Sequence, residues 1–353
     1  MFIEALKSES GPVLITGHTG FKGTWLSLFL NRLNIETYGL SLAAEAGSLY
    51  QRIGGGDLLS GEIGDIRDID LLGKTFKKVQ PSIIIHLAAQ PLVLKSYKYP
   101  LETFETNVIG TANVLKTAFD TPTVKVVLVI TTDKVYRNDD IGKRFKEVDP
   151  LSGKDPYSAS KVGAESVCAA WQQISKVSGG PAVIVARAGN VIGGGDFAED
   201  RIIPDIIRGL ISEQPTIIRN PHSTRPWQHV LDPLGGYLLY IDRTLQKNIN
   251  IPALNFGPKE ASLEVKEILR IGNDVLGDSA KFVVNEGEFD KEARSLELDS
   301  NLAHQSLMWS PKWSQKAAIK DTFTWWKSVL DDPKTAQSSC IRDIDYFLST
   351  SQE

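Results

Sequence analysis

Residues 13–23 read VLITGHTGFKG and run on into TWLSLFLNRL at 24–33. A four-residue apolar run meets three glycines at three-residue steps, Gly17, Gly20 and Gly23, and then a helical pattern. Each glycine has a physical purpose in such a turn. One lets the chain reverse tightly, one lets the backbone approach a pyrophosphate, and one lets the helix pack near the strand. The free N–H groups and dipole at the helix start then favour negative charge. The strand–turn–helix setting at the first strand makes this a dinucleotide-binding turn, with Gly17, Thr19, Gly20, Phe21, Lys22 and Gly23 as its cofactor-binding residues.

Outward from that turn, SIIIHL at 82–87, KVVLVI at 125–130 and AVIVAR at 182–187 are near-continuous apolar runs. Strands buried on both faces of a parallel sheet look like this. ETYGL at 36–40 and LSGEI at 59–63 are weaker strands. Between them, Leu101, Phe104, Val108, Ala112 and Leu115 recur at helical steps, as do Tyr157, Lys161, Ala164, Cys168 and Trp171. The alternation predicts an α/β fold: a Rossmann-like doubly wound parallel sheet, with ligands bound beyond the carboxyl ends of its strands. A dinucleotide domain over 1–190 and a smaller C-terminal substrate-binding lobe over 191–353 are expected. Segments near 228–257, YLLYI at 237–241 among them, are expected to return to the main sheet. Trp309, Trp313, Trp325 and Trp326 read as anchors packing a C-terminal helix.

Composition narrows the function classes. The chain has 353 residues, 42% hydrophobic and 23% charged, with a net charge of −4. That is an ordinary globular balance with no field to attract nucleic acid or anionic membrane. No run approaches a membrane span, and MFIEALKSES lacks the features of a signal peptide. Two cysteines, Cys168 and Cys340, and five histidines without ligand spacing suggest neither a disulfide framework nor a metal site. The expectation is a cytoplasmic, metal-free protein.

Two further motifs carry chemistry. In DPYSASK at 155–161, Tyr157 and Lys161 stand one helical turn apart on one face. An ammonium near the phenol is expected to lower its pKa, making a base for a hydroxyl proton. In TTDKVY at 131–136, a buried strand ends by delivering an acid and an amine side by side, at the end where ligands bind. About twenty residues beyond the glycine turn, TYGLSLAAEA offers neither an acid for the ribose hydroxyls nor an arginine for a 2′-phosphate. That stretch leaves NAD versus NADP open.

Together these motifs resemble the extended branch of the short-chain dehydrogenase/reductase superfamily. GHTGFKGTWLSLFL, GDIRD, HLAAQPLV, TNVIGT, DKVY, DPYSASK, RAGNVIGGGD, DRIIPDI, IIRNP, RPWQHVLDPL, NFGP and WSPKW narrow the resemblance to the CDP-glucose 4,6-dehydratases. RNDDIGKRFKEV after Tyr136 and DKEARSLELD depart from that pattern. The resemblance implies NAD as cofactor, CDP-glucose as substrate, and a homodimer or higher homo-oligomer, with dimerisation through the helices at 101–118 and 157–175. It implies a cycle in which C4 is oxidised, water is eliminated across C5 and C6, and hydride returns to C6. Tyr157 and Lys161 would serve the oxidation, Lys134 would take the C5 proton, and Asp133 would protonate the departing hydroxyl. Thr132 would bind the C4 hydroxyl. Asp65, Ile66 and Ala88 resemble adenine and ribose–phosphate contacts, while Gln90, Asn190, Arg201 and Arg225 resemble substrate contacts. A 4-epimerase sharing Tyr157 and Lys161 would not need Asp133 and Lys134. A non-catalytic NAD-binding regulator would not need Tyr157 and Lys161.

Overall fold

A computed structural model describes residues 3–139, 142–218, 221–277, 281–284 and 296–350. Its centre is a seven-stranded sheet formed by β1 (Val13–Thr16), β2 (Thr37–Ser41), β3 (Gly61–Ile63), β4 (Ile83–His86), β5 (Val126–Thr132), β6 (Ala182–Ala188) and β7 (Ala253–Phe256). The spatial order is β7-β6-β5-β4-β1-β2-β3, and every pairing is parallel. The chain therefore reverses direction across the sheet between β1 and β4, the switch point where such folds bind ligands.

Strand periodicity explains the layering. Val13 and Ile15 point into one apolar core and Leu14 into the other; Ile83 and Ile85 oppose Ile84, and Val126, Leu128 and Ile130 oppose Val127 and Val129. Side chains alternate across a strand, so runs apolar at every position bury both faces. Helices α1 (Phe21–Arg32), α6 (Leu231–Leu245) and α9 (Ala336–Ser349) supply the first core. Helices α2 (Ile69–Val79), α3 (Gly110–Phe119) and α4 (Pro156–Ser178) supply the second. The first core continues into the region beyond residue 190, through α5 (Ile202–Ile211), α7 (Val265–Leu276) and α8 (Gln315–Asp331). Trp309, Trp313, Trp325 and Trp326 are all buried there, packing the C-terminal helices as the sequence suggested.

Two readings need correction. YLLYI is the middle of α6, with Tyr237 to Ile241 buried all round, and the segment that rejoins the sheet is β7. A helix enclosed on every side has no polar face, so periodicity cannot tell it from a strand. The helix around residue 105 is also not the expected stripe. Leu115 is buried as expected, but Leu101 is 78% exposed, and Thr103, Asn107, Thr111 and Val114 are further inward positions. A π-helical turn at Glu105–Ile109 inserts a residue and rotates the apolar face away. The acidic stretch near 285–292 and most of DKEARSLELD lie outside the described residues.

Candidate active site

The glycine turn is built as its spacing demands. Gly17 has φ +82°, left-handed backbone that favours glycine. A methyl on Gly17 would lie 2.8 Å from the Ala88 nitrogen, and one on Gly23 would lie 2.0 Å from the Gly17 carbonyl oxygen. Helix α1 starts after Gly20 with no side chain capping its first N–H groups. The Thr19 hydroxyl joins the turn to the end of β2, bonding Ser41 Oγ at 2.7 Å and donating to the Leu42 carbonyl at 2.9 Å. A tight backbone cradle opening on an uncapped helix start fits the pyrophosphate of NAD. Ala88 backs the turn, and buried Ile66 packs beneath Gly110. Asp65 holds Arg67 at 2.6 Å, and that hydrogen bond keeps its carboxyl below the ordinary value. Exposed Leu42 follows β2, with no acid at the strand end. Arg52 is engaged elsewhere, with its guanidinium 5.1 Å from the ring centres of Phe197 and Trp326.

Strand β5 carries the second part of the site. Its last residue, Thr132, leads into a 3₁₀ turn at Asp133–Val135. Thr132 Oγ1 donates to Asp133 Oδ1 at 2.9 Å and accepts the Lys134 N–H at 3.3 Å. Asp133 is buried, and desolvation raises its pKa against the opposing pull of Lys134, Thr132 and Lys22. Lys134 is half-buried. A methyl on Gly189 would reach Asp133 Oδ2 at 3.1 Å and Pro226 at 3.9 Å, so the segment beside Arg225 also borders this acid.

Helix α4 carries the third part. Pro156 follows an Asp155 N-cap, and Asp155 and Ser158 form a reciprocal capping box that fixes where the helix starts. Tyr157 and Lys161 then lie buried on its inner face. Lys161 Nζ donates to the Ile130 carbonyl at 3.0 Å, and burial lowers its pKa to about 8. Tyr157 departs from expectation: burial pushes its phenol up to about 12, while Thr132 and Arg201 work the other way. The lysine is anchored on the β5 backbone, and desolvation outweighs charge at the phenol.

Arg201, at the start of α5, meets Asp196 at 2.8 Å, and that carboxylate raises the guanidinium pKa. Lys22 stands between the three parts. Burial and repulsion by Arg201 and Lys161 bring its pKa down to about 8, while Asp133 and Asp196 oppose the shift. The structure thus brings Lys22, Thr132, Asp133, Lys134, Tyr157, Lys161 and Arg201 to one place. Asn190 lies just after β6, where its carbonyl accepts the Gln228 N–H at 3.1 Å, and no described side-chain bond ties it to that cluster. Arg225 lies on a short strand paired with Leu263–Glu264 and donates to the Thr224 carbonyl at 2.8 Å. Gln90 is turned inward. Its Nε2 donates to Thr103 at 2.9 Å, its Oε1 accepts the Leu92 N–H at 2.6 Å, and its backbone is held by Asn107.

Asn107 escaped the sequence reading. Placed inward by the π turn, it also donates to Ser160 Oγ at 2.8 Å and so ties that helix to α4. Glu165 and Arg187 escaped it too, although a charged residue closing the apolar run AVIVAR signals a buried partner. Among the described residues, no group of three or more His, Cys, Asp or Glu side chains is gathered to hold a metal. No described helix is long and apolar enough to cross a membrane.

Residues 13–251 match the model of the NAD dependent epimerase/dehydratase family. The chain is 40% identical over 348 residues to a CDP-glucose 4,6-dehydratase from Salmonella typhimurium, spanning 96% of this chain and 97% of that one. Its fold matches a dTDP-glucose 4,6-dehydratase from Bacillus anthracis solved with NAD, at TM-score 0.74 and 22% identity over 90% of this chain and 97% of that one. An epimerase from Methanothermobacter thermautotrophicus matches at TM-score 0.81 and 22% identity, over 94% and 97% of the two chains.

Proposed function

Because the chain belongs to the NAD dependent epimerase/dehydratase family, we propose that it is a nucleotide-sugar 4,6-dehydratase converting CDP-glucose to CDP-4-keto-6-deoxyglucose. The observation that carries this reading is the buried Asp133, its pKa raised, beside Lys134 and in the same cluster as Tyr157 and Lys161. An epimerase has no use for that acid and amine, and a regulator has no use for the buried tyrosine and lysine.

NAD, when bound, supplies a hydride acceptor that can return the hydride, and its cationic ring adds to the charges favouring a tyrosinate. The cradle at Gly17 to Gly23 would hold its pyrophosphate, and Asp65, Ile66 and Ala88 would line its adenosine half. Tyr157 takes the proton of the C4 hydroxyl as the C4 hydride leaves, and Thr132 holds that oxygen. The resulting C4 ketone acidifies the C5 proton, which Lys134 removes. Asp133, its pKa raised by burial, gives its proton to the departing C6 hydroxyl, and the C6–O bond breaks with loss of water. Hydride returned to C6 and a proton at C5 complete the 4-keto-6-deoxy sugar. Lys161, Lys22 and Arg201 surround the reacting end with positive charge, and Arg201, Arg225 and Asn190 are assigned to the substrate. Arginine's planar fork suits a diphosphate. Gln90 acts at one remove, by shaping the loop after β4.

Residues 1–190 with β7 constitute the dinucleotide half in this reading, and the rest of 191–353 the substrate lobe. A homodimer through the helices around 101–118 and 157–175 accounts for Leu101 and Phe104, which are 78% and 39% exposed. Two buried free cysteines suit a reducing cytoplasm. The test is to incubate the protein and NAD with a panel of nucleotide sugars and weigh the products. Loss of one water from CDP-glucose alone is expected. Activity confined to another nucleotide would overturn the substrate, and no water loss from any sugar would overturn the reaction.

A further inference from the structure

The proposed reaction needs two pairs of side chains to act on neighbouring carbons of one sugar, yet the pairs belong to different elements. Tyr157 and Lys161 ride on α4, and Asp133 and Lys134 ride on the turn after β5. A buried polar network joins the two. Glu165 lies one turn beyond Lys161 on the same face of α4. Its Oε1 accepts from Thr131 Oγ1 at 2.6 Å and from Arg187 Nε at 2.8 Å, and its Oε2 accepts from Arg187 Nη2 at 2.9 Å. Arg187 Nη1 donates onward to Tyr136 Oη at 2.8 Å and to the Glu147 carbonyl at 3.0 Å. Tyr136 Oη donates to Asn255 Oδ1 at 2.7 Å, and its ring stacks on Phe145 with centroids 5.1 Å apart. Thr131 and Tyr136 bracket the segment 132–135, so the turn is gripped at both ends by groups that report to α4.

The Glu165 and Arg187 side chains are each only 6% exposed. A buried ion pair contributes little net stability compared with apolar packing of the same volume. A bidentate fork does fix geometry. We propose that Glu165 and Arg187, acting through Thr131 and Tyr136, are positioning residues that set the Asp133–Lys134 turn against the Tyr157–Lys161 helix. The inference rests on the dehydratase reading. Neither residue touches the reacting atoms; what they control is whether oxidation at C4 is followed by elimination across C5 and C6.

The test uses mild variants, since deleting either charge would strand the other in the core. Tyr136→Phe removes one oxygen, and Thr131→Val removes the other grip. In single turnovers with NAD and CDP-glucose, C4 oxidation is read as NADH absorbance and elimination as loss of water by mass. Oxidation should stay within about twofold of wild type while elimination slows roughly 10- to 100-fold, the effect of displacing a catalytic group by an ångström or less. NADH absorbance should then persist on the variants. An unchanged ratio of the two rates, whether both steps hold or both fall, would overturn the positioning role. A wild type that releases no water would instead sink the dehydratase reading and this inference with it.

Discussion

Asp133 and Asp232 are both buried carboxyls whose pKa is raised by desolvation, and the two regions use that property differently. Asp232 opens α6 with its Oδ1 accepting the Lys312 N–H at 2.6 Å, while Trp309 Nε1 donates to its carbonyl at 2.9 Å. Among the described residues its Oδ2 has no hydrogen-bond partner, and burial raises its pKa to about 8. Tryptophans and the C-terminal helices enclose it, and as an acceptor it fastens the WSPKW segment to α6. Asp133 stands at the carboxyl end of β5, with Lys134 and Lys22 beside it and Tyr157 within electrostatic reach. Burial alone makes a neutral acid. A nearby amine and a tyrosine at the carboxyl end of the sheet are what the proposed reaction asks of a proton donor.

The sharpest way to break the comparison is to neutralise each region in turn. Tyr157→Phe and Asp133→Asn should each lower turnover roughly 10²- to 10⁴-fold with NAD binding retained, as for lost general acid–base catalysis. Asp232→Asn should leave product formation within about twofold of wild type, by the same criterion of no lost proton transfer. A crippled Asp232→Asn enzyme beside an active Asp133→Asn enzyme would reverse the assignment.

Lys134→Ala separates the steps. Oxidation at C4 should proceed and elimination stop, with NADH absorbance accumulating on the enzyme; full dehydration would give the C5 proton to another base. Neither acid reaches the end of β2, so cofactor choice should be independent of both. With no ribose acid and Arg52 engaged by Phe197 and Trp326, NAD should bind better than NADP by about tenfold or less, the worth of one hydrogen bond. Titration of the apoprotein with both would decide, and tighter NADP binding would contradict it.

The smallest effect is on stability. A folded pKa near 8 for Asp232, against an ordinary 3.8, means the folded state keeps a proton that the unfolded chain releases. Its contribution is full below the unfolded value and is lost steadily as pH climbs from about 4 to about 8. Asp232→Asn keeps the acceptor for Lys312 and removes the titration, so its unfolding midpoint should exceed that of wild type at pH 8 by a few degrees. The gap should narrow toward pH 5. Parallel pH profiles for the two proteins would show that this carboxyl does not govern that slope.

How much of this was legible in sequence depends on the range of the forces involved. The tight backbone of the glycine turn was legible, because Gly17 and Gly23 answer to contacts with backbone only a few residues away or on the next strand. Strands apolar at every position declared a sheet buried on both sides, and Tyr157 and Lys161 were paired by helical pitch alone. YLLYI failed for the opposite reason: what makes it a helix is its complete enclosure, which is a property of the assembled core. The rotation of the helix at Glu105–Ile109 came from one extra residue in a turn, too small a change to mark the pattern. The lowered phenol pKa also failed, because charge spacing can be counted along a helix while desolvation cannot. Glu165, Arg187, Tyr136 and Asn255 come from four separate segments, and only the folded sheet makes them neighbours.

The central claim is that Asp133 and Lys134 turn an oxidation shared with epimerases into an elimination. CDP-glucose deuterated at C4 tests it most directly, with the product analysed by mass and NMR. The account predicts loss of one water, deuterium at C6 and solvent hydrogen at C5. Deuterium kept at C4 with no water lost would contradict it, and the acid and amine of TTDKVY would then be structural rather than catalytic.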